Sequence, residues 1–266
     1  MIKLIMSDMD GTLLDDDGRL PSGFDAMMAA LKARHVMFAP ASGRQYLALV
    51  EQFSQYRDDL LFVAENGTFV NYHEIEIFSS PMQPENVRAV LAAVEGVPDI
   101  YPVLCGKKAS YVKSDYPPFY EEMSRYYTSH QLVDSFADLE DDILKVSFCD
   151  CDHSDAEHTI YPSLASFADR LQVAVSASRW VDVMNPDINK GVAVRQVQRI
   201  LGIAPEECAA FGDYLNDLEM MSAVYYSFAM ANAHPRIKEA ARFQAKSNAD
   251  GGVLLAIQDL IDQHLI

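Results

Sequence analysis

The stretch Leu4-Ile5-Met6-Ser7-Asp8-Met9-Asp10-Gly11-Thr12 decides the fold. Ile2 to Met6 is an apolar run of strand length, and two carboxylates follow it almost at once. Residues two apart at a strand's end need not alternate faces once the chain begins to curl. Asp8 and Asp10 can therefore both point into the crevice at the carboxyl edge of a parallel sheet, where α/β proteins bind ligands. Gly11 permits the tight turn this requires. Two carboxylates so close repel each other unless a cation joins them or one takes a proton. An isolated Asp-X-Asp is also common in solvated acidic turns, so the reading depends on what the rest of the chain supplies.

Outward from this stretch, strands and helices alternate. Pro21-Ser22 offers a helix start, and Phe24, Met27, Met28 and Leu31 recur at helical spacing. Val36 to Ala39 and Leu60 to Ala64 are further apolar runs, separated by a helical pattern over Tyr46 to Phe53. The end of the chain repeats the style. Lys190 to Leu201 is a helix closed by Gly202, Cys208 to Phe211 a strand, and Asn216 to Met221 a short helix. Tyr225 to Met230 is another strand, and a last helix runs from about Gly252 to His264. This is the pattern of βαβ units on a parallel sheet, an α/β fold of the Rossmann-like kind. The middle differs. It reads as strands over Ile100–Leu104, Tyr111–Val112, Ile143–Phe148, Val173–Ser176 and Trp180–Met184. Helices over Val87–Val94, Phe119–Tyr127 and up to Arg170 accompany them. This predicts an antiparallel sheet with helices on one side, an α+β domain inserted into the α/β domain. The expected boundaries are 1–82 with 185–266 for the core and 83–184 for the insert.

Three further elements argue against a solvated acidic turn at Asp8 and Asp10. Ser42-Gly43-Arg44 follows the second buried strand and offers a hydroxyl and backbone N–H groups just before a helix, where an anion is favoured. Lys190, between Asn189 and Gly191, opens another helix. Gly212-Asp213-Tyr214-Leu215-Asn216-Asp217 adds two carboxylates and an amide after the strand Cys208 to Phe211. A serine before a helix is ordinary capping, and a lone lysine is usually a solvated charge. Together the set matches the needs of phosphoryl transfer. Hard oxygen ligands hold Mg²⁺, a cation and donors neutralise phosphate oxygens, and a carboxylate can attack phosphorus.

Composition bounds the function. The chain has 266 residues, 50% hydrophobic, enough for one large domain or two modest ones. No stretch approaches the roughly 18 uninterrupted apolar residues of a membrane span. The apolar N-terminus meets Asp8 too soon for a secretory signal. Four cysteines without such a signal indicate a reducing compartment, so a cytoplasmic location is expected. Cys149-Asp150-Cys151-Asp152-His153 lacks zinc-site spacing and reads as a strand end running into an acidic turn. The formal charge of -18 makes nucleic acid and anionic membrane poor partners.

Asp8-Met9-Asp10-Gly11-Thr12, Ser42, Lys190 and Gly212-Asp213 with Asn216-Asp217 resemble, in order, the four motifs of the haloacid dehalogenase superfamily. The long insert between Ser42 and Lys190 resembles the large type-2 cap of its Cof-type hydrolases, mostly sugar-phosphate phosphatases. Ala64-Glu65-Asn66-Gly67, Cys105-Gly106 with Tyr111-Val112, and Ser227-Phe228-Ala229-Met230 with Asn232-Ala233 are similar to that group as well. The resemblance implies an Mg²⁺-dependent phosphatase acting on a small phosphorylated metabolite, with Asp8 as nucleophile and Mg²⁺ ligand. Asp10 would be general acid and base and would bind Mg²⁺ through its carbonyl. Asp213 would be the third protein ligand, with Asp217 behind it. Met9, Ser42, Gly43, Lys190 and Asn216 would hold the phosphate, and no obligate protein partner is implied. Arg44 and Asn66 are candidate substrate contacts. Cys105, Tyr111, Lys145 and Trp180 are candidates in the insert, where a core role suits each equally well. Ala231 departs from the usual glycine, and Tyr214 and Leu215 are bulkier than in relatives.

Other readings remain at this point. A phospho-acceptor switch also pairs N-terminal acids with a hydroxyl and a lysine, but has its acceptor mid-chain. A silent metabolite-binding protein and a phosphomutase of the same superfamily are the others.

Overall fold

A computed structural model describes residues 1–266. The strands, in chain order, are β1 (Leu4–Ser7), β2 (Met37–Pro40), β3 (Leu61–Ala64), β4 (Phe69–Tyr72), β5 (Ile75–Ser79), β6 (Ile100–Gly106), β7 (Ser110–Val112), β8 (His130–Leu132), β9 (Ile143–Asp150), β10 (Gln172–Ala177), β11 (Trp180–Met184), β12 (Cys208–Gly212), β13 (Tyr226–Ala229) and β14 (Phe243–Gln244). The helices are α1 (Phe24–Ala33), α2 (Tyr46–Gln52), α3 (Pro84–Val94), α4 (Pro117–Ser124), α5 (Ala156–Thr159), α6 (Tyr161–Leu164), α7 (Lys190–Leu201), α8 (Leu218–Ala223), α9 (Pro235–Ala240) and α10 (Gly252–Asp262). None is long and apolar enough to cross a membrane. The chain divides into two compact units. One comprises Met1–Gly43, Phe53–Phe78 and Asn189–Ile266, and the other Arg44–Gln52 with Ser79–Ile188. The second unit thus starts and ends a few residues outside the expected 83–184 and also takes in α2.

In the first unit, β14-β13-β12-β1-β2 form a parallel sheet. β1 lies between β12 and β2, and all four of its residues are buried. A parallel strand covered on both faces needs such a continuous apolar run. β3 continues beside β2 through the bridges Phe38↔Leu60 and Ala41↔Val63, both parallel. β3, β4 and β5 form a small antiparallel meander. The hairpin β4–β5 turns at His73 and Glu74, with φ of +52° and +61°. Two-residue hairpins need this left-handed backbone, normally supplied by Asn or Gly. Neither residue signals a turn, and the sequence reading stops at β3.

The second unit holds a six-stranded sheet, β10-β11-β9-β6-β7-β8. Two features correct the expectation. β7 and β8 pair in parallel, so the sheet is mixed. Helices also cover both faces. Val87, Val90 and Val94 of α3, with Ala156, Ile160 and Leu164, pack on Leu104, Val146, Phe148, Val181 and Val183. Phe119 and Met123 of α4 pack with the alternate strand residues Val103, Cys105, Val112, Cys149 and Trp180. Period-two alternation in β6 and β9 thus places apolar side chains on both faces. The single helix expected up to Arg170 is broken into α5, α6 and a short turn, and Pro162 opens α6. Proline suits a first helical turn and cannot donate inside a longer helix.

At the end of β9, Asp150 Oδ1 accepts from the backbone of Asp152 at 3.1 Å and of His153 at 2.9 Å. Thr159 Oγ1 donates to Oδ2 at 2.7 Å. The Cys149 and Cys151 sulfurs lie 3.4 Å apart in the buried core.

Candidate active site

Parallel pairing puts the carboxyl ends of β1, β2 and β12 at one edge of the sheet, and the chemistry-bearing residues begin there. Asp8 follows β1, Ser42 follows β2, and Asp213 follows β12. The Asp8 amide donates to Phe211 O at 3.0 Å, which continues the ladder one residue beyond β1. The chain then bends over Met9–Leu13. Gly11 sits at φ +79°, and a Cβ there would collide with the Asp213 carboxylate. Only glycine allows the approach.

Lys190 opens α7. Asn189 caps this helix, its Oδ1 accepting from the Val192 amide at 2.9 Å. A positive charge at a helix N-terminus opposes the macrodipole, and Lys190 is fully buried as well. Its compensation is local. The ammonium donates to Asp8 Oδ1 and, at 2.6 Å, to Asp217 Oδ1. Asp217, also fully buried, accepts on Oδ2 from the amides of Asp213 at 3.0 Å and Tyr214 at 3.2 Å. Thr12 Oγ1 donates to Asp213 Oδ1 at 2.8 Å. Asp10 is exposed at the rim.

Carboxylate oxygens of Asp8, Asp213 and Asp217 lie within 4.8 Å of one another. Burial pushes the Asp8 carboxyl well above its usual range, the Asp217 charge adds to this, and Lys190 opposes it. Burial also raises Asp213, against the hydrogen bond from Thr12. Lys190 is held protonated, since Asp217 and Asp8 together outweigh its burial. When all three acids are ionised, one ammonium leaves two negative charges uncompensated. The donors are all oxygen, which suits a hard divalent cation. The cluster therefore fits a metal ion of that kind.

Ser42 and Asn66 belong to the neighbouring strand ends. The Ser42 amide donates to Val63 O and the Asn66 amide to Ser42 O, both at 2.9 Å. Glu65, Asn66 and Gly67 are three successive left-handed residues, with φ of +51°, +56° and +94°. For non-glycine residues such backbone stores strain that persists only when the surroundings hold it. Gly67 packs on the Asn189 carbonyl, where a Cβ would come within 2.6 Å. The exposed Asn216 reaches Asn66 Oδ1 through Nδ2 at 3.4 Å.

Of the residues singled out in the sequence, Asp8, Lys190, Asp213 and Asp217 meet in one cluster, with Met9 and Asp10 on the same bend. Ser42, Gly43, Asn66 and Asn216 form an adjoining group, in which a Cβ on Gly43 would lie 3.0 Å from Asn66 Oδ1. Arg44 belongs to the second unit and donates to Gln52 Oε1 at 2.9 Å. The four insert candidates are buried. Tyr111 donates to Asp141 Oδ2 at 2.9 Å and Trp180 Nε1 to Glu122 Oε1 at 3.1 Å. Lys145 pairs with Asp182 at 3.3 Å, and Cys105 lies 3.8 Å from Ser147 Oγ. Ala231 does not have positive φ, so its place requires no glycine. Sequence reasoning assigned no role to Thr12, although its motif was in view, and gave none to Asn248, which stands in an unremarkable loop.

Comparisons with known proteins show the family and the fold. Residues 5–257 match the family model of haloacid dehalogenase-like hydrolases, and the chain belongs to that family. A 5-amino-6-(5-phospho-D-ribitylamino)uracil phosphatase of Escherichia coli (strain K12) is 32% identical over 267 residues, covering 99% of this chain and 96% of that protein. A protein of Streptococcus mutans UA159 superimposes with a TM-score of 0.88 at 29% identity, covering 98% of this chain and all (100%) of the other. A sugar phosphatase of haloacid dehalogenase subclass IIB shares the fold, with a TM-score of 0.82 at 21% identity over 97% of this chain and 98% of its own. The chain is a phosphoric monoester hydrolase.

Proposed function

We propose that the chain hydrolyses the phosphate ester of a small sugar or sugar alcohol, with Mg²⁺, through an aspartyl-phosphate on Asp8. The observation that carries this reading is the fully buried Lys190 ammonium, shared by Asp8 and Asp217 beside Asp213. The E. coli relative, which acts on a phosphorylated ribityl compound, supports the substrate class.

Asp8, Asp213 and the Asp10 carbonyl would hold Mg²⁺, which would neutralise phosphate charge and let Asp8 stay ionised beside its acidic neighbours. Lys190 occupies Asp8 Oδ1 and leaves the second oxygen to attack phosphorus. As the Asp8–phosphorus bond forms, the bond from phosphorus to the ester oxygen breaks. Asp10, protonated, gives its proton to the departing alkoxide, which leaves as the alcohol. Water then attacks phosphorus. Asp10, now a carboxylate, takes the water proton, the Asp8–phosphorus bond breaks, and inorganic phosphate and both carboxyl groups are restored. The exposed rim position of Asp10 suits a group that must meet both leaving group and water. Met9 and Gly43 backbone amides, Ser42, Lys190 and Asn216 would bind phosphate oxygens. Asn66 and Arg44 would contact the substrate beyond phosphate. Residues 83–184 would set substrate preference.

The test is phosphate release across sugar phosphates, sugar-alcohol phosphates, nucleotides, flavin mononucleotide and pyridoxal phosphate, with wild type and Asp8→Asn. Sugar or sugar-alcohol phosphates should be preferred, and Asp8→Asn should lose about 10³ or more in turnover. A variant retaining a tenth of the wild-type rate would remove Asp8 from the nucleophile's role. Replacing residues 83–184 with a short Gly-Ser linker should change the substrate ranking of a folded core. An unchanged ranking would refute the role given to that segment.

A further inference from the structure

Asn232 takes no part in the chemistry proposed above, yet both ends of its exposed side chain are engaged. Nδ2 donates to the Gly11 carbonyl at 2.7 Å, and Oδ1 accepts from the Asn248 amide at 3.3 Å. Asn248 is buried and donates in turn, through Nδ2, to Leu14 O and Asp16 Oδ1, both at 3.0 Å. Two asparagines from separate loops thus hold the bend after Asp8 at Gly11 and again at Leu14 and Asp16.

The loop carrying Asn232 is itself fixed to the neighbouring strand end. The Met230 amide donates to Gly212 O at 3.1 Å, and the His234 amide to Asp213 O at 2.8 Å. One loop therefore sets both the backbone at Asp213 and the carbonyl of Gly11. Gly11 needs such a hold. Glycine has the widest backbone freedom of any residue, and this one adjoins Asp10. A Cβ on it would strike the Asp213 carboxylate, and its carbonyl is pinned by Asn232. With that hydrogen bond gone, the Gly11–Thr12 peptide can rotate about the unrestrained Gly11 Cα, which loosens the hold on the adjoining Asp10 backbone that aims the carboxyl group. Proton transfer tolerates little misplacement, since donor and acceptor must meet at about 2.6–3.2 Å.

We propose that Asn232 is a positioning residue for Asp10, acting through the Gly11 carbonyl, and this rests on the two-step reading of the site given above. The experiment uses leaving-group dependence. kcat/KM reports the steps up to release of the alcohol, and only a poor leaving group needs a proton from Asp10. Phenyl phosphate and 2,4-dinitrophenyl phosphate are compared on wild type, Asn232→Ala, Asn232→Asp and Asp10→Asn, all with Mg²⁺. Asn232→Asp keeps the acceptor for the Asn248 amide and loses the donor to Gly11, so it separates this contact from loop anchoring.

Both Asn232 variants should lose about tenfold or more on phenyl phosphate, a part of the 10²–10⁴ that a general acid contributes. On 2,4-dinitrophenyl phosphate they should stay within about twofold of wild type. Asp10→Asn should show the same selectivity, more strongly. Equal losses on both substrates, or no loss, in the Asn232 variants beside a selective Asp10→Asn would overturn the positioning role alone. An Asp10→Asn that treats both substrates alike would overturn the reading of Asp10, and the role of Asn232 with it.

Discussion

Lys190 donates to Asp217 at 2.6 Å, and neither side chain touches solvent. A buried pair of this kind is weak evidence for stability in itself, because desolvation offsets the attraction. Its removal from one side is another matter. Lys190→Met would leave Asp8 and Asp217 buried without their shared cation. We expect a loss of about 3–5 kcal/mol in urea unfolding of the metal-free protein, and a turnover at least about 10² below wild type. Unchanged stability would show that water or rearrangement compensates the acids.

Asp8→Asn should act on stability in the opposite sense from its effect on rate. The Asp8 carboxylate sits among two other acids and has only a share of one ammonium. Removing its charge relieves repulsion, so the metal-free variant should melt above wild type. Mg²⁺ should raise the melting temperature of wild type and much less that of the variant, by the linkage of binding to folding. A variant that melts lower, or responds equally to Mg²⁺, would contradict the charge count of the cluster.

Gly67→Ala tests the turn against α7. The residue has φ +94° and abuts the Asn189 carbonyl, so a methyl group is strained by both backbone and space. A destabilisation of at least about 2 kcal/mol is expected. Because Asn189 caps the helix that begins with Lys190, turnover should fall as well. Thermal unfolding beside kinetics would check this, and a neutral substitution would show that the turn is loosely held.

Asp150 gives a prediction for pH in the second unit. Burial would raise its carboxyl, but hydrogen bonds from His153, Thr159 and Asp152 outweigh that and hold it below the usual range. A group depressed in the folded state contributes stability above its unfolded value, near 3.9. That contribution is lost as the pH falls through the lower folded value. Asp150→Asn should therefore be less stable than wild type at pH 7, by about 1–3 kcal/mol. The gap should close as the pH is lowered from about 5 toward 3. Denaturation midpoints across this range would check it, and a gap that widens on acidification would reverse the assignment.

Much of the site was legible because its residues lie at strand and helix ends, where an apolar run followed by acids, a hydroxyl or a lysine stands out. The sequence also marks the frame of the first unit, since β1, β2, β3, β12 and β13 are short, mostly apolar runs. What escaped depends on contacts between distant segments. Nothing local in Ser247-Asn248 tells that its amide will reach Leu14. His73 and Glu74 make a hairpin turn without the residues that normally announce one. The second helical face of the inserted sheet was missed because β9 alternates Lys145 and Ser147 with apolar residues, so the face that α4 covers reads as a solvated one.

The place of β1 has a consequence for the order in which the chain becomes structured. Leu4 pairs with Met37 on one side and with Cys208 on the other. As the chain leaves the ribosome, β1 and β2 can meet early, yet one edge of β1 must wait roughly two hundred residues for its neighbour, a closure that sequence separation makes slow. All the residues of the inserted unit emerge before that edge is covered. An apolar strand with one open edge invites pairing with another chain, so the nascent protein is most exposed to aggregation before β12 arrives.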